Sequence, residues 1–417
     1  MEKINFLNQS TSVLLTLIIC LFFILIGIFY SRKFKGINNY LVANRSVDTF
    51  SLSTSFVASA LGAWILFGPA SAATWGGIGA VIGYALGTAF PLIILIYLGQ
   101  KFRTSFSSGK SLIEVIRLRF GNKLFKLILI LSIFYMTIFL IAEVTAVSVL
   151  LKYISGTDLW ITALIVIVSS LLYTLYGGLR ASIFTDNIQF IVFMLLLLVA
   201  CFFLISFNSQ ILSFEYIRSN KPNLLSSSYL PNFTSGLTFF IAVAATNLFH
   251  QGNWQRVYAA KNFETLRKSL MISFFIIIPI VFYMGFTGMV AFSIDSTTRP
   301  DLGFFMLLLK EQKELLSLLV IVLGLALTIS TIDTLVNAIS SLIVVDGKAT
   351  FKFNKKINYL NLSKYIILFL SFISFIIASK GYDILYLFLL ADLFCCAFVL
   401  TVFYSFYNKK INERTAY

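Results

Sequence analysis

Apolar runs of 17 to 30 residues alternate along this chain with short polar connections. Eleven runs stand out, at residues 11–30, 51–73, 77–100, 124–151, 158–177, 187–207, 236–254, 270–293, 316–345, 364–380 and 382–408. A helix needs about 20 apolar residues to cross the hydrocarbon of a bilayer. Each run therefore predicts one crossing, and the whole pattern predicts an all-α polytopic membrane protein. The connections are too short for a soluble domain, so residues 1–417 are read as one transmembrane unit. In the connection after the eighth run, Leu302 to Leu309 predicts a short helix lying at the surface.

Composition sharpens this picture. Of 417 residues, 59% are hydrophobic and only 12% charged, with a mean hydropathy of +0.92. A soluble domain is about half apolar and about a quarter charged. A soluble enzyme, a disordered chain and a nucleic-acid binder are excluded together. The net charge of +15 then reports sidedness. If the N-terminus lies outside, 24 of the 32 Lys and Arg fall in inner connections and 8 in outer ones. That bias predicts an outer N-terminus and a cytoplasmic C-terminus in a plasma (inner) membrane. The first run has no cleavage site and is followed by Arg32, Lys33 and Lys35, so it reads as an uncleaved anchor. The four Cys lie in apolar runs, and no metal-ligand or nucleotide-binding motif occurs. No organic cofactor and no enzymatic activity are expected.

Several runs are poorly suited to lipid. Run 51–73 carries Ser, Thr, Ala and Gly throughout, with Gly68-Pro69 inside. It fits either a buried, closely packed helix or one broken near Ala58 to Gly62, whose freed backbone groups line a cavity. In run 77–100, Gly79, Gly83 and Gly87 form a packing stripe, where Gly83→Ala is expected to act through stability and to be milder than Gly62→Val. Run 316–345 holds eight polar residues, including Ser330, Thr331 and Asp333. Leu327, Ser330 and Thr331 share a helix face. They fit a site for a small hard cation, or hydroxyls bonded back to their own helix. Buried acids mark ion paths or structural partners. Glu143 and Asp333 suit either role, and Asp392 is read as structural, near the bundle edge. His250, Trp254 and Arg256 are read as interfacial residues.

Four stretches resemble the sodium/solute symporter family, which includes sodium/proline, sodium/glucose and sodium/iodide transporters. They are Tyr40 to Ser46; Tyr173 to Asp186, with Gly177-Gly178, Ala181 and Thr185; Trp254-Gln255-Arg256 to Ala259-Ala260-Lys261; and Ser330 to Thr334 with Asn337 and Asp346. The resemblance implies an extra N-terminal helix (11–30) and a leucine-transporter-type core of 5+5 inverted repeats, 51–207 and 236–408. It implies breaks in the first and sixth core helices. Family members usually carry further C-terminal helices.

Residue by residue, the resemblance implies a sodium site built from the carbonyls of Ala58, Leu61 and Leu327 and the hydroxyls of Ser330 and Thr331. It implies a coupling role for Asp186, with Glu143 and Asp333 as further candidates. Gly62, Ala63, Trp64, Thr246, Asn247 and His250 become substrate-site candidates. Gly62 is expected to matter for backbone freedom and close approach, not for side-chain chemistry. The implied function is sodium-coupled uptake of a small organic solute, such as an amino acid, urea-like amide, monocarboxylate or sugar. The alternatives are proton coupling through Glu143, Asp333 or His250, and a solute sensor without net transport. Beyond sodium and solute, lipid is the expected partner.

Overall fold

A computed structural model describes residues 6–34, 36–106, 109–296, 299–311, 314–350 and 358–407. Lys3, Lys35, Lys313, Lys352, Lys355, Lys356, Lys409, Lys410 and Arg414, which enter the charge count, lie outside the described residues, as do both chain ends. The long elements are helices: α1 (Gln9–Ser31), α2 (Thr49–Ala60), α3 (Gly68–Ser105), α4 (Asn122–Ser155), α5 (Leu159–Asn208), α6 (Leu230–Phe249), α7 (Gln251–Ala259), α8 (Phe263–Ile294), α9 (Glu314–Leu342), α10 (Tyr359–Ala378) and α11 (Ile384–Tyr404).

Among the described residues, nine helices are long and apolar enough to cross a bilayer. Two of them bend sharply. At 50 residues, α5 would reach about 75 Å, far beyond the hydrocarbon thickness. It turns at Gly178, with φ 62° and ψ −160°, a region open essentially only to glycine. In α3 the turn is Gly77, with φ 49° and ψ −144°. The residues before it continue the crossing that α2 begins. Splitting α5, and taking α2 with the first turns of α3 as one crossing, gives the expected eleven.

Local chemistry sets the ends. Asp48 accepts from the Ser51 N–H at 3.0 Å to start α2, and Asn262 accepts from the Thr265 N–H at 2.8 Å to start α8. The Gly79, Gly83 and Gly87 stripe of α3 lies directly against the backbone of α6. A methyl at Gly83 would stand 2.7 Å from the carbonyl carbon of Gly236. Gly83→Ala therefore forces α3 and α6 apart, an effect on stability at a packing position. The short helix Gly303–Leu308 departs from expectation: Phe304, Phe305 and Leu308 are fully buried, tucked into the bundle. Exposed Leu, Phe and Tyr side chains on α1, α10 and α11 suit contact with acyl chains.

Candidate functional site

Two helix breaks define the centre of the bundle. The first follows α2. Its hydrogen-bond ladder ends with the Leu61 N–H donating to Val57 O at 2.9 Å. Leu61 (φ −103°, ψ 89°) and Gly62 (φ −88°, ψ −175°) then leave helical geometry before a tight turn at Ala63–Leu66. The carbonyls of the last turn of a helix have no partner within it, and Ala58 belongs to that turn. The Ala63 N–H, which a continuous helix would spend on Ser59, donates instead to Glu143 Oε2 of α4 at 2.9 Å. Glu143 thus caps the second half of the crossing.

Of the two reasons expected for Gly62, backbone freedom and close approach, one holds. Its backbone is extended and open to any residue, but a methyl there would stand 2.6 Å from the Glu143 carboxyl carbon. Close approach, not conformational freedom, requires the glycine.

The second break is at His250 (φ −64°, ψ 107°), between α6 and α7. Side chains of α7 satisfy the carbonyls that end α6: Asn253 Nδ2 donates to Asn247 O at 3.0 Å and Trp254 Nε1 to Leu248 O at 2.7 Å. Trp254 and Arg256 are fully buried, which overturns their reading as interfacial anchors. Trp254 stacks on Phe102, with centroids 4.9 Å apart. His250 is buried too, at 6% exposure.

Arg256 organises a polar network. Its Nη2 pairs with Asp186 Oδ2 at 2.7 Å, both side chains being 0% exposed. Nε donates to Ser55 Oγ at 2.7 Å, and Nη2 also donates to Thr334 Oγ1 at 2.8 Å. Ser55 Oγ donates to Asp186 Oδ2 at 2.6 Å, and Ser330 Oγ donates to Asp186 Oδ1 at 2.7 Å. Beside this network, Asp333 accepts from Tyr173 (2.9 Å), Ser182 (2.9 Å) and Thr185 (3.2 Å). A buried ion pair is tolerated when further hydrogen bonds occupy its remaining sites, and here they do.

The five residues assigned to sodium by resemblance are all buried, and α9 packs against α2 and the turn at Ala63–Leu66. Thr331 Oγ1 donates to Leu327 O at 3.1 Å, the back-bonded arrangement that spacing left open. A hydroxyl that ligates a cation must place its proton elsewhere. The protons of Thr331 and Ser330 go to Leu327 O and Asp186, which leaves their lone pairs available. This neutral oxygen set suits a small hard cation.

Next to Thr331 lies a narrow chamber of ≈ 30 Å³, room for only a water or two. Trp64, Thr246, Asn247 and His250 line it, whereas Gly62 and Ala63 lie behind it against Glu143. Trp64 stacks on Tyr84 (5.3 Å, 21°) and meets the edge of Phe388 (6.1 Å). Asp392 also lines the chamber, accepting from Thr246 Oγ1 at 2.6 Å, so it does not sit at the bundle edge. Sequence reasoning missed Arg256, Ser55, Tyr84, Phe388 and the placement of Asp392. For Asp392 the signal was present: an acid within a crossing is by default functional.

Several known proteins are similar to this chain. A spermidine transporter of Candida albicans is 26% identical across 92% of this chain and 72% of its own length. A sodium/glucose cotransporter 4 of Danio rerio is 27% identical across 45% of this chain and 29% of its own length. For a sodium/glucose cotransporter of Vibrio parahaemolyticus the figures are 27%, 39% and 31%. Among solved structures, a substrate-bound, outward-open sodium-coupled sialic acid symporter shares the fold. Its TM-score is 0.75 at 16% identity, over 97% of this chain and 88% of that one. Residues 40–417 match the sodium:solute symporter family, and this chain belongs to it.

Proposed function

We propose that this chain is a sodium-coupled symporter carrying a small organic solute into the cell by alternating access. It acts as one transmembrane unit with repeats at 51–207 and 236–408, N-terminus outside and C-terminus in the cytoplasm. The observation that carries the reading is the hydroxyl pair of α9: the protons of Ser330 and Thr331 are held by Asp186 and Leu327 O, and Thr331 shares a chamber wall with Ser59 and Ala60 at the first helix break. Sodium binds between Ala58, Leu61, Leu327, Ser330 and Thr331. Asp186 senses its arrival through Ser330 and passes it to Arg256 on α7. Thr331 also lines the chamber, so ion and solute share a wall.

The relatives' names span sugars, spermidine and sialic acid, which supports a polar organic solute without choosing one. The three hydroxyls around Asp333 favour a structural role for that acid over proton coupling. The narrow chamber must widen to admit a solute, as alternating access requires. Reconstituted protein tests the reading. Uptake of a solute panel should follow an imposed sodium gradient. Uptake that ignores sodium and follows a pH gradient supports the proton alternative, and solute binding without uptake supports a sensor.

A further inference from the structure

We infer that the solute is an organic cation, an alkylammonium or short polyamine held by Asp392; this rests on the symport reading above. The chamber wall carries a carboxylate but no lysine or arginine among the described residues. Asp392 receives a hydrogen bond from Thr246 Oγ1 at 2.6 Å, a neutral donor. Arg256, the buried cation of the neighbouring network, is committed to Asp186. A buried carboxyl group is costly when ionised unless a cation meets it. Here the chain supplies none at the chamber, and an incoming ammonium group would.

Two further features point the same way. The chamber lining beside Asp392 is aromatic: Trp64 stacks on Tyr84, and Phe388 meets both Trp64 and Phe139, with centroids at 6.1 and 4.7 Å. Ring faces attract cations, most strongly where water is excluded. His250, which also lines the chamber at the second helix break, has its Nδ1 buried without a hydrogen-bond partner. It offers a polar contact for an N–H of the solute. A carboxylate or phosphate solute would meet Asp392 as a like charge. A sugar would leave the acid's charge without a counterpart.

The test is equilibrium binding of radiolabelled 1,4-diaminobutane to the full chain in nanodiscs, with sodium present or absent. Saturable binding is expected, competed by small alkylammonium ions and not by glucose or proline. Asp392→Asn should weaken it at least about thirtyfold, the equivalent of about 2 kcal/mol for removing one partner of a buried charge pair. Asp392→Glu, which keeps the charge, should retain much of the binding. Trp64→Leu should weaken it less than Asp392→Asn does. No saturable binding by the unaltered chain, or full binding by a folded Asp392→Asn variant, overturns the inference. The symport reading is separable. Sodium-driven uptake of glucose or proline without amine binding sinks the inference and leaves symport standing. Amine binding without sodium-driven uptake does the reverse.

Discussion

In the proposed symporter, Thr331 and Ser330 are the residues on which ion binding turns. Each would supply one oxygen to a site stripped of water, and losing such a contact costs about 1–3 kcal/mol. Thr331→Ala should therefore raise the sodium concentration for half-maximal uptake by about fivefold or more, with membrane levels of the protein unchanged. Unchanged sodium activation in both Thr331→Ala and Ser330→Ala would mean that these hydroxyls serve only Leu327 O and Asp186. The Asp186–Arg256 pair behaves differently. Removing one charge strands the other in a dry interior, at about 3–5 kcal/mol. Arg256→Met alone should lower the melting temperature sharply. Combining it with Asp186→Leu should recover much of the stability, yet leave sodium-driven uptake lost. Recovery of uptake by the double variant would reduce the pair to a structural role.

Helices divide into those that must break, those that must turn and those that must approach closely. In α5 the turn rests on Gly178, where a methyl would meet the Tyr40 side chain and stand 2.8 Å from the Tyr40 Cα. Backbone strain there adds about 1–3 kcal/mol for any other residue. Gly178→Ala should thus destabilise the fold even though Gly178 touches neither ion nor chamber. In α3, Gly83→Ala should do the same by parting α3 from α6. Gly62→Val should act through Glu143, by pushing aside the carboxylate that caps the turn at Ala63–Leu66. Thermal melting of the three variants checks this, and Gly62→Val should lose uptake out of proportion to any loss of stability. A Gly62→Val protein that transports normally would show that the Glu143 cap is dispensable.

At the scale of the whole molecule, residues of both breaks and of α9 line one chamber, which the proposed mechanism gives to ion and solute together. A tenfold sodium gradient supplies about 1.4 kcal/mol, and a 100 mV potential about 2.3 kcal/mol per charge. One sodium per cycle then concentrates a neutral solute several hundredfold. A singly charged cation carried with it would gain a second contribution from the potential. Imposing sodium, pH and electrical gradients separately on proteoliposomes should show uptake that follows sodium and rises with an inside-negative potential. Uptake unaffected by the potential would contradict the movement of net charge. Sodium should also stabilise the purified protein. A ligand at 100 times its Kd adds about 2.7 kcal/mol, visible as a raised melting temperature, and one that Thr331→Ala should diminish.

The sequence by itself determined the eleven crossings, the suspected break after Ala58 and the small-residue stripe of α3. These follow from local quantities, namely how much apolar surface a stretch of about 20 residues offers and how little bulk it carries where helices must meet or open. Tertiary structure decided the rest, because partners of buried polar groups come from distant elements. Arg256 finds Asp186 across 70 residues, and Thr246 finds Asp392 across 146. No window along the chain separates an arginine at an interface from one paired in the core. Nor does any window reveal that Gly62 faces the Glu143 carboxyl and Gly83 the backbone of Gly236. Asp392 looks the same in sequence at a bundle edge or in a chamber wall. Only the packing of α11 against α4 and α6 turns it inward, to where a solute's charge would need it.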